Sequence, residues 1–205
     1  RPVMKKLFAR IFLKNILIFT PIFFLGGCLE LFTTVTPLTG INIYDAYSIS
    51  QDERGIYSIT KDKFIKTKIQ TKILGTSGLS NLNLDVESFY GDVYLIGVVP
   101  DAEHKNKLIE LAKNTSGVSK IYTYIRFPEN GGECESNLAI MLKLKNNFFK
   151  DSIINGTSVR VSVVQCNVVF TGIITDIEQE KHAIWYAKHI EGVRDVYSFL
   201  KVMKE

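Results

Sequence analysis

Cysteine is scarce in this chain: Cys28, Cys134 and Cys166 are the only three in 205 residues. That excludes a disulfide scaffold, and no two are spaced as a zinc site requires. Histidine is equally sparse, with His104, His182 and His189. His182 and His189 sit seven residues apart on one predicted helix, whereas metal ligands sharing a helix usually sit three or four apart. No metal or other cofactor is expected. There is no Ser-His-Asp arrangement and no glycine-rich phosphate loop in a credible context, so no catalytic residue is assigned. Acid is absent from residues 1–27, which hold Arg1, Lys5, Lys6, Arg10 and Lys14. The net charge of +4 therefore belongs to that segment, and in the remainder acids outnumber bases by one. This removes the global argument for a nucleic-acid partner.

The same segment reads as an export signal. Met4 is the expected natural start, followed by a basic stretch and then the apolar run Asn15–Leu25. The run has signal-peptide length and is short for a membrane span. It ends in Leu25-Gly26-Gly27-Cys28, which resembles the lipobox of bacterial lipoproteins. That resemblance implies cleavage after residue 27, lipidation of Cys28 and, with Leu29 rather than aspartate following, an outer-membrane destination facing the periplasm. Residues 28–57 are expected to be a lipidated lead-in.

What the rest of the chain does have is a repeat. Shifted by 75 residues, Val93-Tyr94-Leu95-Ile96-Gly97 falls on Val168-Val169-Phe170-Thr171-Gly172, Gly117-Val118 on Gly192-Val193, and Tyr122 on Tyr197. The register is free of gaps back to Lys68 and Lys143. A fixed offset of this kind marks two copies of one supersecondary unit.

Each copy opens with an amphipathic helix. One spans 61–74, with Phe64, Ile65, Ile69, Ile73 and Leu74 on or near one stripe; the other spans 137–150, with Ile140, Met141, Leu144, Phe148 and Phe149. Two strands follow, Leu82–Val86 with Val93–Val98, and Val159–Val163 with Val168–Ile174, each pair joined by a tight turn. A second helix comes next, capped by Asp101 in the first copy and by a Thr175-to-Glu178 capping box in the second. Gly117 and Gly192 read as left-handed helix caps, and strands Ser119–Phe127 and Arg194–Val202 close the units. The expected class is α+β: two tandem α-β-β-α-β domains, 58–127 and 135–203, joined by a linker at 128–134. Each would carry a three-stranded mixed sheet with both helices on one face.

This order, with Gly97, Gly117-Val118 and Tyr122 and their partners Gly172, Gly192-Val193 and Tyr197, resembles the BON domain. With the lipobox, the chain is similar to dual-BON outer-membrane lipoproteins. The resemblance implies a non-enzymatic protein that binds anionic phospholipid and supports outer-membrane integrity, with the first helix of the second domain as the lipid contact. A tryptophan of that family's helix is matched here by Ala139. Ile140, Met141, Lys143, Leu144 and Lys145 would then form the contact.

Charge alone favours the other helix, since Lys61, Lys63, Lys66, Lys68 and Lys72 face only Asp62. Lysines beside an apolar stripe suit lipid phosphates, and equally suit a solvated helix face. A second reading is a structural protein that binds envelope proteins through its paired domains. Cys134 and Cys166 can pair in an oxidising compartment or remain free thiols, because spacing does not give the distance. Trp185 reads as a partly buried packing residue.

Overall fold

The computed structural model describes residues 56–129, 136–154 and 159–203. The signal segment, Cys28, Leu29, most of the lead-in and Cys134 lie outside them. Tyr47–Glu205 form one compact unit. In chain order its described elements are α1 (Ile56–Leu74), β1 (Leu84–Phe89), β2 (Asp92–Val98), α2 (Ala102–Lys113), β3 (Lys120–Arg126), α3 (Asn137–Lys150), β4 (Arg160–Val164), β5 (Asn167–Ile174), α4 (Ile177–Lys188) and β6 (Asp195–Val202).

The two α-β-β-α-β units are present. Each hairpin, β1–β2 or β4–β5, is antiparallel, and the last strand joins the central one in parallel. The central strands are β2 and β5. The parallel pairing is what a helical crossover between neighbouring strands produces, since it returns the chain to the same end of the sheet.

Alternation along β2 decides what each face covers. Val93 and Leu95 pack with Ile65, Ile69 and Ile73 of α1 and Leu108 and Ala112 of α2. Tyr94 and Ile96 point the other way, into a second core shared with Val164, Val169 and Ile173 of the other copy, and with Tyr122, Tyr124, Phe199 and Met203 at its margin. The two sheets therefore stack through their helix-free faces. The order of layers is helices, sheet, sheet, helices. Tyr94 stacks on Tyr122 at 5.0 Å between ring centroids. Lys201 reaches across to Asp92 at 2.6 Å and Tyr122 Oη at 3.0 Å, with its Nζ 4.3 Å from the Tyr122 ring centre. Burial alone would lower the Lys201 pKa, but these partners outweigh it and hold the group well above the usual lysine range. At the edge, Arg126 bonds Gln165 and Glu129, and Arg194 bonds Glu129.

The repeat extends to polar detail. Ser119 N–H donates to Gly91 O, and Arg194 N–H to Cys166 O, at the same offset. Both hairpins turn through two residues of positive φ, Tyr90-Gly91 (54° and 81°) and Gln165-Cys166 (50° and 61°). This is the turn that matches strand twist. Glycine accepts it without cost, and cysteine does not. Gly97 and Gly172 are also matched, at φ 151° and 142°. A Cβ on Gly97 would lie 2.7 Å from Asn83 O, which no neighbour shift relieves cheaply because the obstacle is backbone.

Three local expectations change. Helix α2 ends at Asn114 (φ −84°), and α4 at His189 (φ −99°); Gly117 and Gly192 sit three residues further on, in the following turn. A Cβ on Gly117 would meet Ile65 Cγ1 at 3.0 Å, so close approach of α1 also constrains that position. The cap of α4 is Asp176, which accepts from Glu178 N–H, while Gln179 reaches back to Thr175 N–H. The capping logic stands one residue later than expected. Asp101 caps α2 as expected, accepting from His104 N–H at 2.9 Å.

Candidate membrane-facing helix

Helix α3 is fixed on three sides. Its core stripe is Ile140, Leu144 and Phe148, each at 0 % exposure, with Phe148 against Phe170 at 5.8 Å and Tyr186 at 6.2 Å. At its start, Asn137 Oδ1 accepts the Cys166 N–H of the β4–β5 turn at 2.9 Å. At its end, Asp151 accepts from the Ile153 and Ile154 amides, both at 2.8 Å, and from Tyr186 Oη at 3.0 Å. His182 Nδ1 lies 3.2 Å from the same carboxyl. Burial alone would raise the Asp151 pKa, but the Ile154 amide, His182, the Ile153 amide and Tyr186 together hold it below the ordinary carboxylate range.

This arrangement corrects the expected contact set. Ile140 and Leu144 lie in the domain core and present nothing to a lipid surface. Met141 is half-buried, Lys143 is exposed and Lys145 is half-buried. The outward apolar row is Leu138, Leu142 and Phe149, at 57 %, 56 % and 65 % exposure. The reason is helical periodicity: residues 140, 144 and 148 share one stripe, and residues 138, 142, 145 and 149 share the roughly opposite one. Both rows are apolar, so hydrophobic periodicity by itself does not distinguish the inner from the outer. Lys143, Lys145 and Lys150 lie within or beside the exposed row, and α3 contains no acid.

Trp185 also differs from expectation. It is 56 % exposed and tilts over His189 at 4.2 Å between ring centres. His189 Nδ1 lies 2.7 Å from the Trp185 carbonyl oxygen. Among the described residues no cluster of His, Cys, Asp or Glu is arranged to hold a metal ion, and no helix is long and apolar enough to cross a membrane. Cys166 is fully buried and disulfide-bonded; Cys134 lies outside the described residues.

In the first domain α1 occupies the matching place. Asp62 is its buried anchor, accepting from Ser88 Oγ, Tyr90 N–H and Gly91 N–H at 2.8–2.9 Å. It stands at the position matching Asn137. Outward lie Phe64 at 65 % and Leu74 at 69 % exposure, with Lys61, Lys63, Lys68 and Lys72 exposed beside them. Lys66 pairs with Glu87 at 2.8 Å. Lys72 donates to Asn114 O and Thr115 Oγ1, at one wall of an open groove of about 480 Å³ between α1 and α2.

The sequence profile of the BON domain matches residues 61–129 and 138–204. Outer membrane lipoprotein DolP of Haemophilus influenzae is 23% identical over 161 residues, covering 77% of this chain and 83% of that protein. A protein of Anaplasma centrale described as an "Uncharacterized protein in gshII 5'region" is 23% identical over 84 residues, or 41% of this chain and 56% of that relative. Among solved structures, the C-terminal domain of CdsD, described as the structural protein of the Type III secretion system of Chlamydia trachomatis, is similar with a TM-score of 0.30 and 15% identity. It covers 70% of this chain and 67% of that one. The two profile matches coincide with the two stacked α-β-β-α-β units, and the chain belongs to the BON-domain family, carrying the domain twice.

Proposed function

We propose that this is a non-enzymatic outer-membrane lipoprotein, attached through a lipidated Cys28 and facing the periplasm, that binds anionic phospholipid through α3 and supports envelope integrity. The observation that carries the reading is the face of α3: Leu138, Leu142 and Phe149 exposed in one row, with lysines beside it and no acid on the helix. Apolar side chains enter the headgroup boundary, and basic groups near an anionic surface add about 1 kcal/mol each. Similarity to an outer membrane lipoprotein over most of both chains supports the location, and the Leu25-to-Cys28 motif supports the anchor.

The test is co-sedimentation of fragment 47–205 with phosphatidylglycerol-containing and with neutral vesicles. The expected result is binding to the anionic vesicles, weakened at least about tenfold by the pair Leu142→Ser and Phe149→Ser. Equal absence of binding to both vesicle types removes the lipid reading and leaves a protein-binding assembly role in its place. Mass spectrometry of the mature N-terminus tests the anchor separately, since an unmodified Cys28 contradicts it.

A further inference from the structure

Stacking the sheets through their helix-free faces places α1 and α3 on opposite outer surfaces of the 47–205 unit. We propose that α1 is a second anionic-lipid surface, and that the protein joins two apposed membranes, one on each helical face. The proposal rests on the reading that α3 binds lipid.

Charge is the first argument. Helix α1 carries five lysines and one acid, Asp62. That acid is buried at 3 % exposure in the hairpin clamp, so it does not offset the lysines at the surface. Lys66 is matched by Glu87. Lys61 and Lys63 remain outward beside Phe64, while Lys68 and Lys72, exposed and still charged, reach to Ser116 Oγ and to Asn114 O and Thr115 Oγ1 at the end of α2. A basic face with embedded apolar side chains is the chemistry of an anionic bilayer surface. Leu74 is the 75-residue match of Phe149, and both are exposed.

Geometry is the second. Stacked sheets lie about 10 Å apart and a helix with side chains is about 10–12 Å across, so the two outer faces stand on the order of 40 Å apart. One flat bilayer cannot meet both. That separation is several times the Debye length of roughly 8 Å at physiological salt, so each face attracts its own surface without influence from the other. A molecule resting on one membrane through α3 turns α1 toward whatever lies opposite.

The experiment mixes fragment 47–205 with phosphatidylglycerol-containing vesicles and reads binding by co-sedimentation and clustering by light scattering. Wild type is expected to bind and to cluster. The triple charge reversal Lys61→Glu, Lys63→Glu and Lys68→Glu is expected to lower clustering at least about tenfold while α3-mediated binding changes by no more than about twofold. Circular dichroism confirms that the variant is folded. Because α1 is the more electrostatic of the two faces, raising ionic strength is expected to abolish clustering before binding. Binding without clustering by wild type overturns the bridging proposal and leaves the α3 reading intact. Clustering that survives the charge reversal overturns it as well. Absence of all binding removes the α3 reading itself, and bridging with it.

Discussion

Asp62 shows how much a single side chain can carry in a domain this small. Its carboxylate receives three donors from the β1–β2 hairpin while standing on α1, so it fixes helix to sheet. Asp62→Ala leaves the buried Gly91 amide and the Ser88 hydroxyl without that acceptor. A loss of roughly 3 kcal/mol in unfolding free energy is expected, read by urea denaturation. Asp62→Asn is expected to lose less, because an asparagine, Asn137, performs the matching task in the second domain. Equal losses from the two substitutions would show that charge, rather than an acceptor oxygen, is what the clamp needs. None of this was legible in the sequence. The offset aligned Asp62 with Asn137, but the chemistry differs in name, and the bond spans 29 residues in both copies. Gly91 and Cys166 teach the converse. The turn was legible from its residues, while the substitution of a cysteine where glycine suits the backbone was visible only as an unmatched pair.

Helices and strands were legible to within a few residues because each carries its period. Helix α1 begins at Ile56 rather than 61, and β1 runs Leu84–Phe89 rather than 82–86. What periodicity did not reveal was which of two apolar rows on α3 faces inward, since leucine and phenylalanine occupy both. The distinction has a consequence. Leu144→Ala is expected to cost about 2–5 kcal/mol in stability through loss of a core side chain, with no specific effect on lipid binding once folded. Leu142→Ser and Phe149→Ser are expected to leave the melting temperature nearly unchanged and to weaken vesicle binding. A pattern reversed between the two rows would return the contact to the inner residues. The C-terminal end of the same helix adds a pH dependence. The folded-state pKa of Asp151 is depressed, so its contribution is fully present above the ordinary carboxylate value near 4 and is lost as pH falls through the folded value. Acid titration of the Trp185 fluorescence is expected to show α3 and α4 separating first in that range. Asp151→Asn, measured against wild type at pH 7 and below pH 3, is expected to narrow the stability gap between the two conditions. A gap as wide as that of wild type would assign the acid sensitivity to other groups.

At the scale of the whole unit, the stacking of the sheets had a signal that alternation alone did not supply. Strands β2 and β5 are apolar on both faces, and a strand covered on both sides reads as a continuous apolar run. The helices cover one face of each; the other copy covers the second. Tyr94, Ile96, Val169 and Ile173 belong to both domains at once, so the two are expected to unfold together. Within this shared layer Thr171 carries a buried hydroxyl oxygen, as do Tyr94 and Tyr124. It is 1 % exposed, and its hydroxyl finds no hydrogen-bond partner among the described residues. Its match in the first copy is Ile96, which leaves no such group buried. Thr171→Val removes the hydroxyl and keeps the branched shape, so it is expected to stabilise the fragment by about 1 kcal/mol. Because the layer is shared, the gain is expected in the far-ultraviolet signal of both domains and in the Trp185 signal of the second, with one common midpoint. If Trp185 reports a raised midpoint while the first domain melts where it did before, the sheets are stacked without being energetically joined. A fall in both midpoints would mean that Thr171 holds a partner that the folded chain supplies from elsewhere.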